Sequence, residues 1–340
     1  MDSIDIVSLA RTLIDIDSTT GREAEAGRVL AGWLRGRGWT VTEQPVDGDR
    51  VNVLATREPP VVVLSTHYDC VPPFFPSSVR DGVIFGRGSC DAKGILAAQV
   101  AAAERLAAEG ERRVGLLFVV GEERGSDGAR AAARSPVGSR FLVNGEPTDN
   151  RLGIATKGTA RFVLTATGRA AHSAYPERGE SAIEKLVDAI AALRAIGWPS
   201  DPVLGETTYS VGLISGGVAP NVVPPEASAE VMFRTVGDVD VIARLLAPLE
   251  RWVSVARGVY IDPIRFHTVP GVESAVFSFG TDVPFLSSWG RPLLMGPGSI
   301  HVAHTDHEHV AIAELEQAVE RYVRVVRQLL ADDALSGASA

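Results

Sequence analysis

The sequence predicts an α/β protein: a doubly wound, mostly parallel sheet interrupted by an inserted α+β unit. Three observations predict it. The segments Val61-Val62-Val63-Leu64 and RVGLLFVV at 113–120 are apolar on both faces, as strands in the middle of a parallel sheet must be. Helical segments alternate with these and other strands over the first part of the chain. After about residue 155 continuous apolar runs give way to period-two alternation, and the first texture returns only after about 268. The boundaries that follow are 1–155 with 268–340 for one domain and 156–267 for the inserted one. A chain of 340 residues also exceeds what one hydrophobic core usually serves.

Taken in order, helical periodicity covers about 4–16 and 21–37, the second with Thr20 and Glu23 spaced as a capping box. Strands are predicted at 39–46, 50–56 and 61–66, with Asp81-Gly82 as a turn. An Ala-rich helix over 92–109 leads to strand 113–120, a helix at 127–134 and a strand at 140–144. In the insertion, Ala160, Phe162 and Leu164 alternate with Arg161, Val163 and Thr165, the pattern of a half-exposed strand over 159–167. A helix at 181–196, strands near 207–214 and 227–235, a helix at 239–256 and a strand at 259–266 complete a β-α-β-β-α-β, ferredoxin-like order with one open sheet face. The last helix spans 309–331, and the small, polar tail 331–340 is expected to fray.

Composition narrows the function. Hydrophobic residues make up 45% and charged residues 22%, which suits a soluble globular protein and not a disordered one. A net charge of −9 argues against nucleic acid, whose phosphates need clustered Lys and Arg. The N-terminus, Met-Asp-Ser-Ile-Asp, lacks the basic start and apolar core of a signal peptide, and no stretch reaches the roughly 18 apolar residues of a membrane span. The two cysteines, Cys70 and Cys90, are too few for a disulfide scaffold. The expectation is a cytoplasmic protein with reduced thiols and no membrane partner.

Ligands of open α/β sheets gather beyond the carboxyl ends of the strands. There, strand 61–66 runs into His67-Tyr68-Asp69, strand 113–120 into Gly121-Glu122-Glu123, and strand 140–144 into Gly145-Glu146, while Asp91 opens the Ala-rich helix after a Gly-rich approach. Each alone has a plain alternative: a helix-start Asp is usually a cap, and a lone His is usually a hydrogen-bonded structural residue. Together they converge on one sheet edge, where several carboxylates repel unless protons or cations neutralise them. Mixed His and carboxylate donors suit zinc, cobalt or manganese better than calcium. His67 and Asp69 share a face on an extended chain, so the Asp69 carboxylate can take the second N–H of a metal-bound imidazole. Glu122 and Glu123 point to opposite sides, which separates a ligand from a base. Segment 296–309 holds four of the seven histidines without forming HExxH, and spacing alone does not choose among them.

These pieces resemble the metallopeptidase superfamily of acetylornithine deacetylase, succinyl-diaminopimelate desuccinylase, aminoacylase and glutamate carboxypeptidase. The matching segments are Ser65-Thr66-His67-Tyr68-Asp69, Gly86 to Gly94 around Asp91, Gly121-Glu122-Glu123, Asn144-Gly145-Glu146, Lys157-Gly158, His172 to Pro176, Gly216 to Pro224, and Gly296-Pro297-Gly298-Ser299 with Ala303-His304. They stand in the family's order over nearly the whole chain. The resemblance implies two divalent metals, zinc first and cobalt or manganese next. Asp91 would bridge them, His67 and Glu146 would complete one site, and Glu123 and His304 the other. It makes Glu122 the general base, Asp69 the partner of His67, and His172 an oxyanion donor delivered from the second subunit of a homodimer paired through the inserted domain. Asn221 and Arg234 resemble positions that grip the substrate carboxylate or oxyanion, for which the Arg fork suits. His304 occupies the Ala-His position of acetylornithine deacetylase. His307, however, stands where that relative has Asp, so His301 and His307 remain rivals.

The implied function is hydrolysis of the amide bond in an N-acyl amino acid, closest in motif to acetylornithine deacetylase of amino-acid biosynthesis. A dipeptidase or carboxypeptidase acting on short peptides is the alternative. A nucleotide site is not supported, because Gly86-x-Gly88 is followed by Asp91 and no Walker A sequence occurs. A non-catalytic metal-binding scaffold would be expected to have lost the base or a ligand, and this chain keeps all six. Cys70 and Cys90 each neighbour a proposed metal-shell acid, but no sequence feature pairs either with a base, so a thiol nucleophile is not expected.

Overall fold

The computed structural model describes residues 4–337. The chain forms two compact units: one comprises the chain up to Ile154, Phe266–Ala275 and the chain from Thr281, and the other Ala155–Arg265 with Val276–Gly280. Helices α1 (Ile6–Ile14) and α2 (Ala24–Gly36) precede β1 (Thr40–Asp47), β2 (Arg50–Thr56) and β3 (Val62–His67). A hairpin of β4 (Ser78–Arg80) and β5 (Val83–Phe85) leads to α3 (Lys93–Ala108), β6 (Val114–Val119), α4 (Asp127–Ala132) and β7 (Phe141–Asn144). The second unit runs through β8 (Gly158–Thr167), α5 (Ala182–Arg194), β9 (Thr208–Gly216), β10 (Glu226–Thr235), α6 (Val239–Leu246) and β11 (Ser254–Ile261). β12 (Arg291–Leu294), β13 (His309–Ala311) and α7 (Ile312–Gly337) belong to the first unit again.

The first unit is built on a sheet of order β1-β2-β6-β3-β7-β12. Strand β3 runs parallel to both β6 and β7, and β12 parallel to β7, while β1 and β2 add an antiparallel edge. Every residue of β3, β6 and β7 is buried. Alternate side chains explain the continuous apolar runs. Leu64, Leu116, Phe118 and Val143 pack in one core with α1, α2, α3 and α7 residues such as Leu13, Leu30, Leu96 and Tyr322. Val63, Leu117, Val119 and Leu142 face the other way, into a smaller core with Ala129, Leu286 and Trp289. Each such side chain contributes about 1.5–3 kcal/mol on burial, so polar residues are displaced to the strand ends.

The second unit is an antiparallel sheet of order β9-β10-β8-β11. With its strands numbered one to four in chain order, it reads 2-3-1-4, the ferredoxin-like arrangement. Phe162, Leu164, Ala229 and Phe233 pack against Leu186 of α5 and Ile242 of α6, and the intervening residues of β8 and β10 are less buried. That one-sided burial is the source of the alternation in sequence.

Several local expectations are corrected. Thr20 and Glu23 form no capping box: the Thr20 hydroxyl donates to Asp69 Oδ2 at 2.9 Å. The Glu23 carboxylate, fully buried, accepts from Arg50 at 2.9 and 3.0 Å and from the Gly21 amide at 2.7 Å. A charge-assisted bidentate pair outcompetes a neutral cap. Helix α6 stops at Leu246 rather than 256, because Pro248 falls in a 3₁₀ turn, Ala247–Arg251, where its missing N–H is tolerated. Strand β11 accordingly starts at Ser254, before the predicted 259. Helix α7 continues past Ala331 to Gly337; residues 338–340 of the tail expected to fray, and residues 1–3 read for a leader, lie outside the described residues. Asp81 and Gly82 do make the turn, both with left-handed φ (50° and 75°), as a tight hairpin between β4 and β5 requires. No helix among the described residues is long and apolar enough to cross a membrane.

Candidate metal centre

The parallel strands β3, β6, β7 and β12 all end at one edge of the first sheet, and the chain leaving each carries an acid or an imidazole. β3 ends on His67 itself. Its Nδ1–H donates to the Asp69 carbonyl oxygen at 3.1 Å, with Asp69 Oδ1 at 3.4 Å, which leaves Nε2 to face Asp91 Oδ1 at 3.0 Å. The Asp69 carboxylate has a second task that the sequence did not suggest. It accepts the backbone amides of Glu122 (3.1 Å) and Glu123 (3.2 Å), and so holds the turn that carries both acids.

That turn follows β6. Gly121 takes a left-handed φ of 71°, and a Cβ there would lie 2.7 Å from Arg50 Nη2, so glycine is required. Glu122–Arg124 then form a single 3₁₀ turn. After β7, Gly145 donates to the Ser65 carbonyl at 2.7 Å and accepts from the Thr66 hydroxyl at 2.8 Å. This places Glu146, 4% exposed, against the sheet edge. Asp91 precedes α3, and the Asp91–Ala92 peptide is cis. Beyond β12, His304 sits at φ 62°, a left-handed conformation that His tolerates better than most residues.

Ligand atoms of His67, Asp91 and Glu123 all lie within 4.8 Å of one another. His304 Nε2 is 2.9 Å from Glu123 Oε1 and 3.3 Å from Asp91 Oδ2. Asp91 thus stands between two imidazoles, one on each carboxylate oxygen. The rival imidazoles stand differently: His307 Nδ1 lies 2.8 Å from the exposed Asp306 carboxylate, and His301 is exposed. Glu146 Oε1 is buried with no hydrogen-bond partner. An orphaned carboxylate oxygen among His67, Glu122, Asp91 and Asp282 fits a bound cation.

The electrostatics reflect crowded acids. Burial opposes charge on His67, but hydrogen bonds to Asp69 and Asp91 hold its pKa well above the ordinary value. Burial also works against the Asp91 carboxylate, yet His304 and His67 keep it ionised far below the usual range. His304 is lifted to about 10 by Asp91 and Glu123. Glu122 and Glu146 are pushed well upward, first by burial and then by neighbouring carboxylates. Burial likewise raises Glu123, against the pull of His304. Divalent ions would supply the missing positive charge.

Two acids here escaped the sequence reading. Asp282, 1% exposed, has neither carboxylate oxygen in a well-formed hydrogen bond, and burial raises it to about 7. It repels Glu122 and Glu146 from outside any recognised motif. Glu308, fully buried, binds the turn before Asp91; nothing in its local sequence distinguishes it from a surface acid. Both thiols are buried. Burial lifts Cys70 to about 11 and pushes Cys90 well above its ordinary value, as expected of space-filling cysteines. A Cβ at Gly88 would meet Cys70 Sγ at 2.6 Å, and one at Gly298 would meet Cys90 Sγ at 2.5 Å.

His172, Asn221 and Arg234 belong to the second unit. His172 is exposed and bridges to Val222, and the Asn221 carbonyl accepts the Ser173 amide at 3.0 Å. The Ala174 amide donates to His172 Nδ1 at 3.1 Å, which puts the proton of the neutral ring on Nε2. Arg234 is half-buried, its hydrogen bond going to the neutral Thr159 hydroxyl at 2.6 Å, and desolvation lowers its pKa.

The family model for peptidase family M20/M25/M40 matches residues 63–328. A protein of Aspergillus clavatus named "Probable carboxypeptidase" is 37% identical over 96% of this chain and 82% of its own length. Among solved structures, a tripeptidase from Staphylococcus aureus superposes with a TM-score of 0.82 at 19% identity, covering 97% of this chain and 99% of its own. A Bacillus subtilis protein described as a dinuclear metal-binding peptidase of the M20 family gives 0.71 at 15% identity, over 94% of this chain and 95% of its own.

Proposed function

The chain belongs to peptidase family M20/M25/M40 and is thereby a hydrolase of amide or peptide bonds, and we propose that it is a two-metal enzyme that releases a residue bearing a free α-carboxylate. The observation that carries this reading is the cluster itself. His67, Asp91 and Glu123 donor atoms lie within 4.8 Å of one another, His304 reaches the same two acids, and Glu146 keeps a buried oxygen unpaired. In this proposal His67, Asp91 and Glu146 would hold one ion, and Asp91, Glu123 and His304 the other. Zinc suits the donor set first, and cobalt or manganese next.

Bound divalent ions would supply Lewis acidity, polarising the scissile carbonyl and lowering the pKa of a water. The protein's own residues do the rest. Glu122, with its pKa raised by burial and by neighbouring acids, takes the proton of the attacking water and returns it to the leaving amine. Asp69 holds Glu122 in place through its amide and keeps the His67 proton on Nδ1, so that Nε2 presents a lone pair. His172, with its proton on Nε2 and delivered from the second subunit of a homodimer, serves the developing oxyanion. Arg234, a guanidinium that donates to the neutral Thr159 hydroxyl, supplies the fork for the substrate carboxylate, and Asn221 supports it from the same unit.

The "Probable carboxypeptidase" name of the Aspergillus relative favours peptides as substrates. Gly296-Pro297-Gly298-Ser299 with Ala303-His304 favours a second reading, an acetylornithine deacetylase-like N-acyl amino acid deacylase. Both present the same carboxylate to Arg234. The inserted unit also offers a dimer surface. β9 is an edge strand with Leu213 and Ile214 64% and 63% exposed, its Gly216 lies against the exposed Ile183 of α5, and an apolar edge of this kind is a template for a second copy.

The test is metal-reconstituted enzyme assayed on N-blocked dipeptides, free dipeptides and N-acetyl amino acids, with and without chelator. Turnover abolished by chelator and restored by Zn²⁺ or Co²⁺ is expected, and the preferred panel member separates the two readings. Glu122→Gln should retain both metals and lose about 10²–10⁴-fold in kcat; full turnover in that variant would refute the assigned base.

A further inference from the structure

Asp91 is the acid on which the proposed centre depends, yet nothing on its own helix orients it. The N-cap of α3 is Ala92 and makes no side-chain cap bond, and Asp91 lies at the end of a turn rich in glycine. The turn is held instead by Glu308, more than two hundred residues away in sequence. Glu308 Oε1 accepts three amides at once: Gly88 at 3.0 Å, Cys90 at 3.0 Å and Asp91 itself at 2.9 Å. Its other oxygen, Oε2, accepts from Arg87 Nη1 at 2.7 Å. The backbone joins the same contact, since the Gly86 amide donates to the Glu308 carbonyl and β13 pairs antiparallel with β5. Glu308 is fully buried and Arg87 is 2% exposed.

We propose that Glu308 is a positioning residue for the metal centre: by collecting the 88–91 amides on one carboxylate oxygen it aims the Asp91 side chain at His67 and His304. The proposal rests on the two-metal reading above and deepens it. Three amides converging on one oxygen leave the turn little freedom, and a charged acceptor makes each bond stronger than a neutral one. Glu308 also lies four residues beyond His304, so the same contact locks the segment carrying His304 onto the loop carrying Asp91. A water in place of the carboxylate could not hold both segments in register.

An acid paired with a buried Arg could instead serve only the fold, and the two roles differ in what they move. Glu308→Ala frees the turn. Glu308→Gln keeps an oxygen for the three amides, and Arg87→Met removes the ion pair while leaving the amide clamp intact. The readout is Co²⁺ titration of metal-free protein by calorimetry and by its visible ligand-field spectrum, with circular dichroism showing which variants are folded. Loss of a partner that orients a metal ligand typically weakens affinity about 10–100-fold. We expect that loss for Glu308→Ala, with an altered ligand-field spectrum, and affinities within a few-fold of wild type for Glu308→Gln and Arg87→Met. If Glu308→Ala does not fold, Glu308→Asp decides: its shorter side chain draws the oxygen away from the three amides, so a loss of about 10-fold or more is expected, and wild-type affinity and spectrum would overturn the proposal. Wild-type affinity and spectrum in folded Glu308→Ala would overturn the proposal, and so would an Arg87→Met defect with Glu308→Gln equally impaired, which would assign the role to the ion pair. A wild-type protein that binds no Co²⁺ would overturn the two-metal reading itself.

Discussion

Asp282 offers a measurable consequence of crowding acids at one sheet edge. Its carboxyl is 1% exposed, and burial raises its pKa from 3.8 to about 7, against the weaker pull of Ser126, His67 and Arg130. Proton affinity raised from 3.8 to about 7, at roughly 1.4 kcal/mol per tenfold, corresponds to a ceiling of roughly 4 kcal/mol. The folded chain holds this proton more tightly than the unfolded chain does. Stability therefore falls as pH rises from about 4 to about 7, and the loss is complete above that window. Asp282→Asn removes the titrating group while keeping nearly the same volume. In metal-free protein, urea unfolding followed by tryptophan fluorescence should show the variant more stable than wild type at pH 8, by up to roughly 4 kcal/mol. The two should converge near pH 4. Parallel pH profiles for the two proteins would show that Asp282 is not the strained acid the structure describes.

The ligand assignment makes His304 separable from its neighbours: His304→Ala should lower Zn²⁺ stoichiometry from about two toward about one, while His301→Ala and His307→Ala leave it unchanged in elemental analysis. Arg234→Met should raise KM about 10–100-fold for substrates with a free carboxylate, the equivalent of one charged hydrogen bond, with little effect on kcat and none on the corresponding C-terminal amides. Leu213→Asp combined with Ile214→Asp should shift sedimentation from dimer to monomer, and an unchanged sedimentation coefficient would remove β9 from the interface.

The local signals in this chain were those with a period. Runs such as Val62-Val63-Leu64 and Leu116-Leu117-Phe118 announce strands buried on both faces, because each successive side chain enters a different core. The alternation of Ala160, Phe162 and Leu164 announces one-sided burial for the same reason. Helix ends were less legible. Pro248 stopped α6 early, and Thr20 went to Asp69 rather than to a cap, because a tertiary partner bound it.

By itself, the sequence determined the two kinds of sheet and the acids and imidazoles carried beyond the strand ends. Those are consequences of side-chain periodicity along a single segment. Tertiary structure alone decided which oxygen meets which nitrogen: His304 rather than His307 against Asp91 and Glu123, Asp69 beneath the Glu122-Glu123 turn, Asp282 buried among them, and Glu308 behind Asp91. Hydrogen bonds are short and directional, so these pairings depend on how strands and turns up to 217 residues apart register against one another, a quantity no local pattern carries.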